Sequence, residues 1–143
     1  MAAFAPPEGG SMRKLKTVLG SVVVLGLVGS SAWAGYKSPN WTVTLDTVAK
    51  TAYGTVGAAR SSADTVQYIG CSFYAYDDGT TYAGCSAKNP AGTFVSCTSI
   101  VPAIVETVRN MPSDGFVRFH WNDSGDCTYV GFTNFSYYAP KQP

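Results

Sequence analysis

Histidine and charge are both scarce in this sequence. It contains one histidine, His120, among 143 residues, and only 13% of the residues are charged. One histidine cannot form a histidine-based metal cluster, and His120 has no identifiable partner with which to act as a general base. Residues 35–143 hold seven Lys or Arg and eight Asp or Glu, scattered along the chain. This near-neutral balance gives no electrostatic reason to expect nucleic acid or an anionic membrane as a partner.

Sequence motifs for several kinds of site are also missing. The chain has no G-x-S-x-G nucleophile motif, no glycine-rich phosphate loop and no complete calcium-binding loop. The acidic segments at 77–79 and 122–126 contain only fragments of a calcium loop, and aspartate is favoured in turns because its side chain accepts backbone hydrogen bonds. The sequence therefore assigns no catalytic residue, no metal ligand and no cofactor.

Apolar runs are short, and the longest one marks an export signal. Residues 17–29 form an apolar stretch of 13 residues, below the roughly 20 that a membrane-spanning helix needs. Three basic residues precede it, and Ala32-Trp33-Ala34 follows as a small-x-small cleavage motif. This order predicts a secretory signal peptide at 12–34, cleaved before Gly35.

The signal peptide predicts how the chain is divided. We expect 1–11 to be a disordered lead or start-site artefact, and 35–143 to be a single exported domain without a membrane span. The basic region and the Ala-x-Ala motif are typical of bacteria. The sequence thus predicts a location in the periplasm, at the cell surface or outside the cell.

All four cysteines lie in the predicted exported domain: Cys71, Cys85, Cys97 and Cys127. Their separations leave no C-x-x-C pair of the kind that binds zinc, and an even number of cysteines in an exported chain predicts two disulfides. A hairpin turn at 77–79 would set Cys71 opposite Cys85 and leave Cys97 to join Cys127. The pairing Cys71–Cys127 with Cys85–Cys97 fits the turns nearly as well.

Period-two alternation and turn signals predict a β-rich domain. The expected strands are a leading strand over 41–48, followed by strands over 66–76, 80–87, 93–98, 116–121 and 127–138. A helical spacing of apolar residues predicts one helix from about 100 to Asn110, capped by Thr98 or Ser99. The Gly- and Ala-rich stretch 50–65 is read as a loop or a short helix around 48–58. The predicted fold class is α+β, with an antiparallel sheet of about five strands, one helix packed on it and two disulfides.

Aromatic residues are the clearest excess, with 17 of them in residues 35–143. Two segments, 73–76 and 135–138, place aromatic side chains on both faces of a predicted strand. One face of each must be solvated or covered by a partner. We therefore assign a candidate binding face to four tyrosines: Tyr74, Tyr76, Tyr137 and Tyr138.

Three blocks of the sequence carry a resemblance. They are 59–71, Phe119-His120-Trp121-Asn122 and Asp126-Cys127-Thr128-Tyr129-Val130. Together they resemble small exported proteins of Gram-negative bacteria that have no assigned function, over about residues 55–140. The resemblance implies export and a small cysteine-bonded domain, and it implies no activity or site.

The leading functional hypothesis is an exported, non-enzymatic module that binds a protein or glycan at the cell envelope, or that assembles with itself at the surface. Alternation puts His120 on the same strand face as Arg118, which predicts an ordinary surface histidine. One alternative is an envelope enzyme that acts on glycans through carboxylates such as Asp77, Asp78, Asp123 or Asp126. Another is a small inhibitor of a secreted hydrolase that presents the loop 89–92.

Overall fold

Two antiparallel sheets and two short helices make up the fold of the residues described by the computed structural model, 36–38 and 41–141. The elements are β1 (Thr44–Asp46), β2 (Thr51–Thr55), α1 (Val56–Arg60), β3 (Tyr68–Ala75), β4 (Thr81–Lys88), β5 (Phe94–Ser99), α2 (Pro102–Arg109), β6 (Phe116–Trp121) and β7 (Cys127–Thr133). The predicted lead at 1–11 and the predicted signal peptide at 12–34 lie outside the described residues, so both stay predictions.

The strand order is β1-β2-β6-β7 in the four-stranded sheet and β3-β4-β5 in the three-stranded sheet. A parallel bridge between Thr98 and Asp126 connects the two sheets. Side chains from the inner face of each sheet enter one hydrophobic core, in which Val117, Phe119 and Cys85 are the largest fully buried side chains. α2 packs against β3, β4 and β7. This arrangement leaves one face of each sheet directed outward.

The predicted antiparallel sheet structure and the two disulfides are confirmed, but the prediction of one five-stranded sheet with a single helix is wrong. The described residues form seven strands in two sheets, and α1 is a second helix. The strand that the sequence failed to predict is β2, within the stretch read as a loop or helix. Its inward residues are Ala52 and Gly54, and a Cβ on Gly54 would lie 3.1 Å from the Cα of Val43. Small residues fit this close approach, and they also remove the hydrophobic alternation that identifies a strand.

The turns that follow β3 and β4 lie where the sequence predicts them, and each contains a glycine with positive φ. Gly79 and Gly92 both have positive φ, at 84° and 85°, which glycine adopts without a steric penalty.

α2 lies where helical spacing predicts it and begins with Pro102 in its first turn. Its N-cap residue is Val101, so the predicted cap at Thr98 or Ser99 is wrong. Ser99 instead accepts a hydrogen bond from the backbone N–H of Val101 at 3.1 Å.

The first and the last strand are both shorter in the structure than the sequence predicts. The leading strand covers only Thr44–Asp46, because the Asp46 carboxylate accepts backbone N–H bonds from Val48 and Ala49 and closes a turn there. The final strand ends at Thr133 instead of continuing to Tyr138. Tyr137 and Tyr138 therefore lie in a tail that leaves the sheet.

The disulfides join Cys71 to Cys85 and Cys97 to Cys127. This is one of the two pairings that the sequence left open. Cys71 and Cys85 are directly opposite one another on β3 and β4, whereas the second bond joins β5 to β7 and therefore links the two sheets. Two disulfides indicate an oxidising, extracytoplasmic environment.

Asp64 organises the connection between α1 and β3. Its carboxylate accepts backbone N–H bonds from Gln67 at 2.8 Å and Val66 at 2.9 Å, and a bond from the Gln67 side-chain amide at 2.5 Å. The buried Gln67 in turn accepts the N–H of Val43 at 3.0 Å, which holds the start of the four-stranded sheet. The hydrogen bonds from the Gln67 and Val66 N–H groups lower the pKa of Asp64 from 3.8 to about 2.

This lowered pKa predicts a specific dependence of stability on pH. A carboxyl group whose pKa falls on folding stabilises the fold above its unfolded pKa, so the Asp64 contribution is complete above pH 4 and is lost as the pH falls towards 2. We expect Asp64→Asn to be less stable than the wild type at pH 7, and the difference to shrink at pH 2.5. Urea unfolding at the two pH values measures this. Asp77→Asn, at an exposed turn, is the control. An equal difference for Asp64→Asn at both pH values would contradict the assignment.

Candidate functional site

The four candidate tyrosines do not form one surface. Tyr74 and Tyr76 lie at the outer face and end of β3, where both flank Tyr82 of β4. The Tyr74 and Tyr82 rings are stacked at 4.6 Å, and the hydroxyls of Tyr76 and Tyr82 are 3.4 Å apart. This hydrogen bond raises the pKa of Tyr82. We call these three residues the tyrosine ladder.

Tyr137 and Tyr138 belong to the tail that follows β7. The tail turns back at Phe135, whose carbonyl accepts the N–H of Tyr138 at 3.1 Å. Ser38 donates its N–H to the carbonyl of Tyr137 at 3.0 Å. Further along, the tail lies against α1 at Gly57, where any Cβ would collide with the carbonyl of Ala139. These contacts hold the tail beside the outer face of the four-stranded sheet.

Two adjoining clefts lie between this tail and the sheet. They have volumes of about 360 and 320 Å³ and share three lining residues, Phe116, Arg118 and Tyr138. We call the two clefts together the aromatic groove. The first cleft is completed by Tyr36, Ser38, Trp41 and Tyr137, and the second by Tyr129, Gly131, Phe132, Thr133 and Phe135.

Ring contacts build the groove from separate parts of the chain. Trp41 meets Phe116 edge to face at 6.1 Å, and Phe116 stacks on Tyr138 at 6.2 Å. Tyr137 meets Tyr36 edge to face at 5.5 Å. Residues before β1, on β6 and after β7 thus contribute rings to one continuous surface. Aromatic pairs in these geometries stabilise one another beyond their buried area.

Arg118 is the charged residue of the groove. Strand register sets it opposite Tyr53 on β2 and opposite Gly131 on β7. Its guanidinium carbon lies 5.2 Å from the centre of the Tyr53 ring and 5.6 Å from that of Phe116, which are cation–π distances. Among the residues that the structure describes, those that line the two clefts include no Asp or Glu.

The groove contains hydroxyl and N–H groups that can donate hydrogen bonds. The Tyr138 hydroxyl lies 3.2 Å from the Thr133 hydroxyl, and the Trp41 indole N–H donates to the hydroxyl of Ser38 at 3.2 Å. Burial and a hydrogen bond with Tyr138 raise the pKa of Tyr137. Tyr137 is therefore a neutral phenol at neutral pH, able to donate as well as accept.

The carboxylates considered for catalysis lie in two hairpin turns. Asp77 and Asp78 are in the β3–β4 turn, where Asp78 accepts the N–H of Thr80 at 2.7 Å, and these hydrogen bonds from Thr80 lower the pKa of Asp78. Asp123 and Asp126 are in the β6–β7 turn. Their partners are the ammonium group of Lys50 for Asp123 and the side-chain amide of Asn122 for Asp126. Asp78, Asp123 and Asp126 therefore each bond to a group that lies within or next to their own hairpin turn.

His120 is half-buried on β6, with its ring 4.9 Å from that of Tyr129. Within 36–38 and 41–141, no group of three or more His, Cys, Asp or Glu side chains is arranged to hold a metal ion. In the same ranges, no helix is both long and apolar enough to cross a membrane.

Most of the groove is not predictable from the sequence, and of its lining residues only Tyr137 and Tyr138 are among the predicted binding residues. Alternation along β6 was the available signal, since it puts Phe116 and Arg118 on the face opposite the buried Val117 and Phe119. Nothing in the sequence indicates that Trp41 meets this face. Comparison with known proteins gives no matching family model, no similar curated protein and no similar solved structure.

Proposed function

We propose that this protein is an exported binding module that holds an oligosaccharide of the cell envelope in the aromatic groove. The observation that supports the proposal is the set of rings gathered around two adjoining clefts at the outer face of the four-stranded sheet. Tyrosine and tryptophan rings provide a large, rigid contact area at low entropic cost, and they combine an apolar face with a polar group. Sugars present the matching combination, with apolar ring faces and hydroxyl edges.

The size of the groove favours a glycan over a protein. Each cleft is at the small end of the ~300–1,000 Å³ range of ligand sites, and specific protein interfaces cover ~800 Å² per partner. Because the clefts share Phe116 and Tyr138, adjacent units of one chain-like ligand would occupy neighbouring positions. The phenol hydroxyls of Tyr137 and Tyr138 would bond to sugar hydroxyls. The tyrosine ladder stays a separate candidate for a second contact.

Removal of the Tyr138 ring tests the groove as a whole. We expect Tyr138→Ala to weaken glycan binding by about 5- to 30-fold, because this ring borders both clefts and loss of one well-placed aromatic contact costs about 1–2 kcal/mol. Binding is measured by calorimetry with the envelope glycan that the wild type retains best on an array. Circular dichroism confirms that the variant is folded.

Two phenylalanines provide a matched comparison. Phe135 and Phe94 are almost equally exposed, at 52% and 53%, but only Phe135 lines the groove, whereas Phe94 is on β5 of the other sheet. We expect Phe135→Ala to weaken binding and Phe94→Ala to leave it unchanged. Equal losses in both variants, or no glycan retained by the wild type, would contradict the proposal.

A further inference from the structure

Resting on the proposed function, we infer that the aromatic groove selects acidic glycans, and that Arg118 recognises a sugar carboxylate. This inference rests on the position of Arg118, because this residue lines both clefts. A ligand that lies along the groove therefore passes the guanidinium wherever it sits. Arg118 is exposed, so a ligand can reach it from solvent.

The surroundings of Arg118 leave its positive charge uncompensated. The ion pairs formed within 36–38 and 41–141 join Lys50 to Asp123 and Arg109 to Glu106, and neither involves Arg118. The described residues that line the groove include no Asp, Glu, Lys, His or second Arg, so within this described lining Arg118 supplies the only formal charge apart from any carried by the ligand. A guanidinium keeps its charge at every physiological pH.

The aromatic neighbours fix the orientation of Arg118 without neutralising it. Tyr53 and Phe116 both lie within cation–π distance of the guanidinium. On the other side, Gly131 has no side chain, and the Tyr129 hydroxyl takes the space that a Cβ there would need. Holding the planar group against rings reduces the entropy that it loses on binding, and its N–H groups stay available to an acceptor.

The geometry favours a carboxylate as the acceptor. The two parallel N–H groups of a guanidinium match the two oxygens of a carboxylate, which gives short, charge-assisted hydrogen bonds. A sugar acid combines this group with a ring that can pack against Phe116 or Tyr138. A neutral sugar can use the rings but offers nothing to the positive charge.

The test compares one sugar chain with and without its charge. The probes are an oligogalacturonate and its methyl ester, which have the same rings but carry free carboxylates or neutral esters. We expect the wild-type protein to bind the acid about tenfold more tightly than the ester, a preference that weakens as salt screens the charges. Arg118→Gln should bind both forms equally and as weakly as the wild type binds the ester. Arg118→Lys keeps the charge without the planar group and should retain only part of the preference.

The outcomes separate this inference from the proposed function. Equal binding of acid and ester by the wild type would overturn the role of Arg118 while leaving glycan binding in place. An unchanged acid preference in Arg118→Gln would overturn it as well. If neither probe nor any neutral glycan binds the wild type, both the inference and the proposed function fail. Arg109→Gln, which removes the same charge from an exposed position on α2 outside the lining of the groove, is the control and should keep the full acid preference.

Discussion

Loss of the disulfide between Cys97 and Cys127 should lower the free energy of unfolding by about 3.5 kcal/mol, the value that loop-closure entropy gives for a separation of 30 residues. Both cysteines are buried, so Cys97→Ala/Cys127→Ala avoids placing hydroxyl groups in the core. This bond joins the two sheets, and without it β5 and β7 are held at this point mainly by the bridge between Thr98 and Asp126. The melting temperature should fall by about 15 °C.

The other disulfide is the control for this prediction. Cys71 and Cys85 are separated by 14 residues, for which chain entropy gives about 3 kcal/mol. They also face each other in a hairpin that β3 and β4 hold together with backbone hydrogen bonds, so we expect the measured loss to be smaller still. Calorimetry of the two double variants measures the difference. A larger loss for Cys71→Ala/Cys85→Ala would contradict the view that the Cys97–Cys127 bond is the one that secures the two sheets.

Phe119→Ala should destabilise the protein by about 3–5 kcal/mol. Phe119 is fully buried at the centre of β6, between Ala52 on β2 and Val130 on β7. Removing its ring loses the transfer free energy of the buried atoms and leaves a cavity that the paired strands cannot close. The melting temperature should fall by about 15–20 °C, or the domain should not fold at all.

A milder variant and an exposed site keep this prediction testable. Phe119→Leu retains most of the buried volume and should lose about 1–1.5 kcal/mol. Phe94→Ala removes the same ring from a site that is 53% exposed and should change stability by no more than about 0.5 kcal/mol. Urea unfolding gives all three values. Similar losses for Phe119→Ala and Phe94→Ala would contradict the central place of Phe119 in the hydrophobic core.

Only those parts of the candidate site that depend on a local sequence pattern were predictable from the sequence. Alternation along β6 is visible in the sequence, and it separates Arg118 from Phe119 without any structure. Alternation predicts Tyr137 and Tyr138 on one long strand over 127–138, and Tyr74 and Tyr76 on the strand over 66–76. Tyr74 and Tyr76 belong to the tyrosine ladder at β3 and β4. After Thr133 the chain instead leaves the sheet, so Tyr137 and Tyr138 enter the groove. Contacts with Ser38 and Gly57, far away in sequence, hold the tail there.

The sequence by itself determined the features that depend on near neighbours. These are the hairpin turns at Gly79 and Gly92, the amphipathic α2, most of the long strands and the presence of two disulfides. Each follows from a dihedral preference, a hydrophobic period or a cysteine count, which act over a few residues or depend on composition alone.

Only the tertiary structure decided how these parts meet. It divided the strands between two sheets, selected one cysteine pairing and revealed β2, whose inward Ala52 and Gly54 have no hydrophobic pattern of their own. It also brought both Trp41 and Tyr138 into ring contact with Phe116. The physical reason is that such contacts depend on the packing of surfaces far apart in the chain. A single side chain can favour a turn or a strand face, but it does not specify which distant surface will cover it.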